Sequence, residues 1–479
     1  MTYNLSFRRK AVEGGDLLKK YLALTLLIAV GLTLSGLQCG AKKTTTSGLA
    51  EITVWRLFDS QDTFAPLIKQ FEKDNKNVKI KYVMKDPEEY ELDSLNALAA
   101  GAGPDVWSIP NDWVARHSDK LVPAPAGILA ASSKEKKTDV ELYQDAFVPV
   151  AAQDNIIDDK IYGIPLSVDT LAVYYNKDIF KQVLKDLDNQ KLSRAERQLR
   201  EKLLDGNVGS WDEFIQLVKI LTSRSGADIK QSAVAMGTAA NISFSQDILY
   251  LLMLQNNTQM VTPDKKSAGF NLPTKKETGE QIYPGATALD FYTSFANPGK
   301  ETYTWNNSLP NSIDAFTAGQ TAMIFGYSFT ENLIKQKAPT MNVRKFAMPQ
   351  IKGVANAVDF GQYYTETVTK SSKYPDVAWA FVRFAATEGI GDYLGTTSKP
   401  TALKKQTKQI GVNERGEQKN PFVFQVGTAT DWYKGKYPVK TDKVFRDLID
   451  DIIVRGNPLQ RAMDTAAKLE TDLLMKAPY

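Results

Sequence analysis

The stretch from residue 51 to residue 109, EITVWRLFDSQDTFAPLIKQFEKDNKNVKIKYVMKDPEEYELDSLNALAAGAGPDVWSI, alternates two hydrophobic patterns. Three short runs rich in β-branched and aromatic residues predict strands: EITVW (51–55), VKIKYV (78–83) and DVWSI (105–109). Between them, apolar residues recur at helical spacing, first at Phe64, Leu67, Ile68 and Phe71, then at Leu92, Leu95 and Leu98. Strand, helix, strand, helix, strand at this spacing predicts a parallel α/β sheet wound with right-handed crossovers.

Parallel α/β sheets collect their ligands at the carboxyl ends of the strands. Two loops follow strands at that edge, RLFDSQ (56–61) after the first strand and PNDW (110–113) after the third. These loops are therefore the first places where we expect residues that contact a ligand.

The rest of the chain also contains segments that predict strands and helices. Residues 162–180 are apolar and broken by Pro165, which predicts extended structure. AFTAGQTAMIFGYSF (315–329) predicts a helix that ends at Gly319 and then a buried strand, and residues 375–389 predict a helix from a proline to a glycine. Two closing helices are indicated by apolar residues at helical spacing: Phe445, Leu448, Ile449 and Ile452, then Leu459, Ala462, Met463 and Ala466.

The beginning of the chain has the order of an export signal. Five basic residues, with two acidic ones among them, precede an apolar run, YLALTLLIAVGLTL (21–34), which is shorter than the roughly 20 residues of a comfortable membrane span. Cys39, the only cysteine, follows directly. This predicts a signal peptide over residues 1–38, a lipid attached to Cys39 and a flexible tether over 39–50. Plain cleavage and an uncleaved anchor stay open, because Leu37 and Gln38 depart from the lipoprotein pattern.

Composition excludes several kinds of protein. Without residues 1–38 the net charge is close to +1, and no basic block remains for nucleic acid. The single histidine, His117, argues against zinc sites and Ser–His–Asp or Cys–His catalysis, so we expect neither metal nor cofactor. His117 itself is expected to lie exposed at a helix end. A mature chain of this length predicts two domains.

Six segments in this order resemble the extracellular solute-binding proteins of ABC importers, the family that includes the maltose-binding protein. The segments are ITVW to VKIKYV (52–83), LNALAAGAGPDVWSI (95–109), IYGIPLSVDTLAVYYNKDIF (161–180), WDEFIQLVKILT (211–222), AFTAGQTAMIFG (315–326) and PDVAWAFVRFAATEG (375–389). The resemblance spans about residues 51 to 475. It implies a type II periplasmic-binding-protein-like fold, in which two α/β lobes are joined by a hinge of crossing strands and the ligand lies in the cleft between them.

The resemblance also implies where the chain passes between lobes. PLSVDTL (165–171) is similar to the family's first crossing and DFGQYYTE (359–366) to its return. The first lobe would then hold residues 51–166 and 359–412, and the second lobe 167–358 and 413–479.

Ligand-binding residues are implied by position within the same resemblance. Carboxylates and amides suit sugar hydroxyls, and flat rings suit sugar C–H faces. Tyr327 follows the strand AMIF, with Phe329 as the less favoured ring, and at the second crossing Gly361 to Tyr364 replace the paired glycines common in the family. The implied set is Phe58, Asp59, Ser60, Asn111, Asp112, Trp113, Asp169, Tyr327, Gln362, Tyr363 and Trp432.

For two residues of this set, a structural role is an alternative to ligand binding. Asp112 is also a favoured residue for capping the helix that follows it, and Trp113 is also explained as a surface ring. Asp169 is harder to explain by structure alone, because a carboxylate in an apolar run is costly without a partner.

The resemblance implies a monomeric, non-enzymatic lipoprotein that works outside the cytoplasmic membrane. It would capture a small solute, expected to be a mono- or oligosaccharide, and deliver it to the permease subunits of an ABC importer, with the bilayer contacted through Cys39. Two alternatives remain open: a secreted glycan hydrolase that uses acids such as Asp59 and Asp112, and a lipoprotein that passes its liganded state to a sensor kinase. Polyamine, metal and peptide ligands, known among related proteins, also remain open.

Overall fold

A computed structural model describes residues 49–130, 136–397, 399–406 and 420–476. The predicted signal peptide, Cys39 and the tether as far as residue 48 lie outside the described residues. Among the residues that are described, no helix combines the length and the apolar character needed to cross a membrane.

The secondary structure alternates between strands and helices over the described chain. The strands are β1 (Ala50–Arg56), β2 (Val78–Met84), β3 (Val106–Pro110), β4 (Ile156–Ile157), β5 (Lys160–Ile161), β6 (Ile164–Pro165), β7 (Asp169–Thr170), β8 (Ala172–Asn176), β9 (Ser223–Ser225), β10 (Asp228–Val234), β11 (Thr274–Lys275), β12 (Gln281–Ile282), β13 (Thr321–Gly326), β14 (Val343–Ala347), β15 (Asp359–Gln362), β16 (Tyr364–Val368) and β17 (Ala429–Thr430). The helices are α1 (Gln61–Asp74), α2 (Tyr90–Ala99), α3 (Trp113–His117), α4 (Asp139–Ala146), α5 (Pro149–Asn155), α6 (Lys177–Asp186), α7 (Arg194–Leu204), α8 (Trp211–Leu221), α9 (Ser245–Gln255), α10 (Pro284–Ser294), α11 (Ser312–Thr317), α12 (Thr330–Lys337), α13 (Pro375–Ala386), α14 (Ile390–Thr397), α15 (Pro421–Gln425), α16 (Pro438–Ile453) and α17 (Leu459–Met475).

The first lobe is built on a five-stranded sheet in the order β2-β1-β3-β16-β6. β1 runs parallel to both β2 and β3, which confirms the predicted parallel α/β unit. β16 comes from much later in the chain and pairs antiparallel with β3 and β6. Helix α1 begins after Ser60, whose side chain caps it, and buries Phe64, Leu67 and Phe71 against the sheet, as their spacing predicts.

The second lobe has its own five-stranded sheet in the order β14-β8-β13-β10-β9. Every residue of β13 is buried, which confirms the strand predicted after Gly319. The two closing helices, α16 and α17, bury the predicted residues Phe445, Leu448, Met463 and Ala466 in the core of this lobe.

A three-stranded sheet in the order β17-β15-β7 lies where the chain passes between the two lobes. Its strands lie close together at Gly361. A Cβ added at this glycine would stand 3.2 Å from the Cβ of Ala429. β7 and β15 lie beside the lobe boundaries predicted at 166/167 and 358/359. The lobe boundaries remain predictions, and the one at 412/413 falls outside the described residues.

Two sequence predictions are wrong in detail. The extended structure expected to residue 180 stops at Asn176, because this side chain accepts hydrogen bonds from the backbone N–H groups of Asp178 and Ile179 and so caps α6. His117 does end helix α3, but it is buried, with 3% of its surface exposed. Its ring lies 5.1 Å from that of Trp107, and its Nε2 is 3.0 Å from Oε1 of Glu91.

Candidate ligand-binding cleft

The loop after β1 presents an aromatic ring to solvent. Phe58 is 64% exposed and has a φ of +65°, a conformation that is strained for a residue with a large side chain. Its ring meets that of Tyr364, the first residue of β16, edge to face at 5.7 Å. The two rings form an aromatic surface at the carboxyl end of β1, where the sheet topology predicts ligand contacts.

A buried network of charges holds this loop in place. Asp59 is only 6% exposed, and its carboxylate accepts hydrogen bonds from Arg56 Nη2 at 2.7 Å, Lys399 Nζ at 2.6 Å and the Tyr393 hydroxyl at 3.1 Å. Arg56 also pairs with Glu366. Burial would raise the pKa of Asp59, but the charges of Arg56 and Lys399 lower it. Asp59, predicted as a ligand residue, thus has its carboxylate occupied by partners in the protein, and it fixes the loop that carries Phe58.

The second lobe presents a matching aromatic cluster. Phe329 is 47% exposed and its ring stacks on that of Tyr327 at 5.9 Å. Phe244, with a φ of +63°, meets Tyr327 edge to face at 5.1 Å and Phe329 at 5.8 Å. Tyr327 is completely buried and donates its hydroxyl proton to Asp247 at 3.0 Å. The ring accessible to a ligand after β13 is therefore Phe329, whereas the sequence favoured Tyr327.

Asp169 links the crossing strands to this cluster. It stands opposite Gln362, which is half-buried, in the pairing of β7 with β15. Its carboxylate accepts hydrogen bonds from the backbone N–H of Ser328 at 2.9 Å, from the Ser328 hydroxyl at 2.6 Å and from the N–H of Thr170 at 2.9 Å. Burial raises the pKa of Asp169 to about 6 although these bonds oppose the shift. The predicted hinge acid thus ties the loop that carries Phe329 to the crossing.

A cavity of about 600 Å³ opens between residues of both lobes. Its wall from the first lobe includes Asn111 and Asp112, and its wall from the second includes Leu254 and Met260. The segment DWYKG (431–435) closes it from a third side. Asn111 Nδ2 donates to Asp154 at 3.0 Å and to Asp431 at 2.8 Å, so one amide joins two carboxylates in this cavity.

Lys434 is the buried cation of the cavity wall, with 3% of its side chain exposed. Its Nζ lies 3.2 Å from Asp112 and 3.4 Å from Asp442, and 5.1 Å from the centre of the Tyr250 ring. Burial would lower the pKa of Lys434, but Asp442 and Asp112 hold it well above its usual range. Asp112 does occupy the N-cap position of α3, but its side chain makes no capping hydrogen bond, so the ion pair with Lys434 explains it better than the capping alternative.

The remaining predicted residues have structural partners. Ser60 is exposed and accepts a hydrogen bond from the N–H of Thr63 as the cap of α1. Trp113 is half-buried with its ring 5.7 Å from that of His117. Tyr363 is buried and donates its hydroxyl proton to Asp154 at 2.8 Å. Trp432 lines the cavity but is 5% exposed, because its ring packs on Tyr250 and Phe445 in the core of the second lobe.

Four residues of the cleft were missed by sequence reasoning: Phe244, Asp154, Asp431 and Lys434. Asp431 and Lys434 enclose Trp432 and Tyr433 in DWYKG, and two opposite charges beside a predicted cleft ring were a signal that could have identified them. Phe244 and Asp154 carried no local signal, since their roles depend on contacts with residues 83 and 43 positions away or more. No group of three or more histidine, cysteine or acidic side chains with metal-binding geometry occurs in the described part of the chain.

Two α/β lobes, joined by crossing strands and lined by aromatic and acidic residues where they meet, define the class of two-lobed solute-binding proteins. The bacterial extracellular solute-binding protein family model matches residues 58–391, and the chain belongs to this family.

Curated relatives carry sugar-binding names. The galactooligosaccharide-binding protein of Bacillus subtilis (strain 168) is 31% identical over 170 residues, which are 34% of this chain and 37% of that protein. The multiple sugar-binding protein of Streptococcus mutans is 22% identical over 394 residues, 81% of this chain and 84% of the relative.

The fold also matches solved structures. The cyclic α-maltosyl-1,6-maltose binding protein of Arthrobacter globiformis superposes with a TM-score of 0.68 at 16% identity, covering 90% of this chain and 100% of that one. At this identity the likeness shows that the fold is shared. It agrees with the two-lobed architecture predicted from the sequence.

Proposed function

We propose that this protein captures a carbohydrate in the cleft between its lobes and delivers it to the permease of an ABC importer. The observation that carries the proposal is a pair of exposed rings, Phe58 packed on Tyr364 in one lobe and Phe329 packed on Phe244 in the other. Exposed rings next to hydrogen-bonding side chains suit the alternating C–H and hydroxyl faces of a sugar. The names of the curated relatives support the same ligand class.

Capture works by closure of the lobes. A ligand favours the closed form only through contacts that it makes there and not in the open form. Rings on both lobes provide such contacts, and the sheet of β7, β15 and β17 provides the crossing about which the lobes move. Asp169, bonded to Ser328 of the second lobe, places one of these contacts next to the crossing.

Anchoring and delivery complete the proposed role. We propose that residues 1–38 are removed on export and that Cys39 carries a lipid at the outer face of the membrane, where the monomeric protein meets its permease. A mature protein whose mass includes a diacylglycerol on Cys39 would support this. A mature chain without lipid would leave sugar capture intact and remove the anchor.

The test of sugar capture is isothermal titration calorimetry against a panel of mono- and oligosaccharides, combined with small-angle scattering. We expect at least one saccharide to bind with a dissociation constant in the micromolar range, about 8 kcal/mol of binding free energy. We expect the same saccharide to reduce the radius of gyration. A panel without any binding would contradict the ligand class, and binding without compaction would contradict capture by closure.

Phe329→Ala should weaken the binding of that saccharide about tenfold, because the accessible ring of the second lobe is lost. The matched control is Phe424→Ala, since Phe424 is 49% exposed against 47% for Phe329 but lies on α15 and is not part of the ring contacts among Phe244, Tyr327 and Phe329. Equal affinities of the two variants would show that Phe329 does not contact the sugar.

Two alternative functions are less well supported. The hydrolase considered from the sequence would act on the glycosidic bond through Asp59 and Asp112, but Asp59 is bonded to Arg56 and Lys399, and Asp112 to Lys434. An assay for release of reducing sugar by the purified protein separates this function from binding. A sensory role would use the same cleft and closure, and the identity of the neighbouring genes, permease or kinase, distinguishes it.

A further inference from the structure

Two carboxylates of the cavity lack a cationic partner. Asp431 is 6% exposed, and its buried Oδ1 has no hydrogen-bond partner in the part of the chain that the structure describes. Its other oxygen, Oδ2, accepts only from the amide of Asn111, which also donates to Oδ2 of Asp154. Neither Asp154 nor Asp431 has a lysine, arginine or histidine nitrogen within 4.0 Å among the described residues.

The nearest buried cation is already shared. Lys434 lies between Asp112 at 3.2 Å and Asp442 at 3.4 Å, so its single charge faces two other carboxylates at ion-pair distance. Two basic side chains at the cavity wall are also engaged, because Lys436 Nζ donates to the carbonyl of Ala115 at 2.6 Å and Lys265 Nζ lies 5.0 Å from the ring centre of Tyr433. A buried carboxylate without a counterion is costly, and a positive charge supplied by the ligand removes that cost.

Both carboxylates line the cavity that opens between the lobes. Asp154 lies in the last turn of helix α5 of the first lobe, and Asp431 precedes Trp432, which packs in the core of the second. A group held between them therefore contacts elements of both lobes and contributes to closure.

We propose that the cleft selects a ligand carrying a positively charged amino group, which docks between the carboxylates of Asp154 and Asp431. The inference rests on the proposed function and refines it, since the ligand class becomes a saccharide that contains an amino-sugar unit. The ammonium group donates to Oδ1 of Asp431 and to Asp154, while the ring of Tyr433, which lines the same cavity, contacts the sugar.

Binding of such a ligand is coupled to proton release. In the unliganded cleft, burial raises the pKa of both Asp154 and Asp431, although hydrogen bonds from Tyr363 and Asn111 to Asp154 and the charge of Lys434 oppose the shift. The neighbouring charge of Asp112 raises both further. An ammonium group stabilises the charged form of both carboxylates, so the proton is released as the ligand enters.

The test compares three disaccharides with the same β-1,4 linkage by calorimetry at pH 7: the glucosamine dimer, its N-acetylated form and cellobiose. We expect the glucosamine dimer to bind at least about tenfold more tightly than the two neutral sugars. We also expect its binding enthalpy to differ between phosphate and Tris buffers, because the released proton is taken up by the buffer. Equal affinities for the three disaccharides would overturn the inference.

Variants identify the carboxylates. Asp154→Asn and Asp431→Asn should each bring the ratio of amino-sugar to neutral-sugar affinity close to one, while Asp159→Asn, an exposed acid nearby that does not line the cavity, should leave it unchanged. If both variants keep the wild-type ratio of amino-sugar to neutral-sugar affinity, the ammonium group binds elsewhere and the assignment of Asp154 and Asp431 is overturned.

Spermidine serves as the second probe, because it carries ammonium groups without a sugar. Binding of spermidine that is lost in both variants, without response to any saccharide, would support the ammonium site and contradict the carbohydrate function. Binding of neutral saccharides alone, unaffected by either variant, would overturn the ammonium site and leave the carbohydrate function standing.

Discussion

Arg56→Met is expected to lower the free energy of unfolding by about 3–5 kcal/mol. Arg56 is 4% exposed and pairs with Glu366 and with Asp59, two carboxylates that are buried with it. Methionine fills a similar volume but leaves Lys399 as the remaining cation, and Lys399 pairs with Asp59. Removal of one member of a buried charge network is costly because the remaining charges stay desolvated. Urea unfolding at pH 7, followed by circular dichroism, measures the loss.

The matched control is Arg197→Met. Arg197 also pairs with two acids, Asp188 and Glu201, but its side chain is 40% exposed. Exposed pairs of this kind contribute less than about 1 kcal/mol, so the control should unfold close to the wild-type denaturant concentration. Similar losses for the two variants would show that the buried network does not support the first lobe. Arg56→Met should also weaken saccharide binding, since Asp59 holds the loop that carries Phe58.

Lys434→Met is expected to lower the free energy of unfolding by a similar amount, about 3–5 kcal/mol near pH 8, and by much less near pH 5. Without Lys434 the buried carboxylate of Asp112 and that of Asp442 face each other without a cation. Burial already raises the pKa of Asp112 in the wild type, and removal of Lys434 raises it further. A carboxyl whose pKa is higher in the folded state than in the unfolded state binds more protons when folded, so stability falls as the pH rises above about 4.

Unfolding of Lys434→Met at pH 5 and at pH 8 tests both the size and the sign of this effect. Lys443→Met is the control, because Lys443 lies on α16 and pairs with Asp447 while 67% of its side chain is exposed. The control should differ little from the wild type at either pH. A loss for Lys434→Met that is independent of pH would show that packing, rather than charge, explains the role of this lysine.

The order of the secondary structure was predictable because it depends on neighbours in sequence. The strand predicted at 78–83 is observed as β2, and the helix predicted from Pro375 is observed as α13, since their hydrophobic periods are local. The end of the extended segment at Asn176 was missed because side-chain capping competed with the apolar pattern. The resemblance to solute-binding proteins identified the fold, which the family match confirms.

The details of the cleft depend on partners that are distant in sequence. Asp59 had the position of a ligand carboxylate, but Arg56 and, from 340 residues later, Lys399 both pair with it. Tyr327 had the position of a cleft ring, but Asp247 accepts its hydroxyl proton and Phe329 covers it. A local pattern places a residue at the correct end of a strand. Which of two neighbouring side chains faces solvent depends on hydrogen-bond partners that only the fold brings together.

The position of β16 has a consequence for how the chain folds as it is made. This strand lies between β3 and β6 in the first sheet, yet it follows β6 by almost 200 residues, most of which form the second lobe. An N-terminal fragment that ends before residue 364 therefore has a gap in the middle of its sheet. Such non-local pairing slows folding, because a long loop must close before the contacts form. For a member of an extracellular family, a nascent chain that stays unfolded until late in synthesis remains able to pass through a translocation channel as an extended polypeptide.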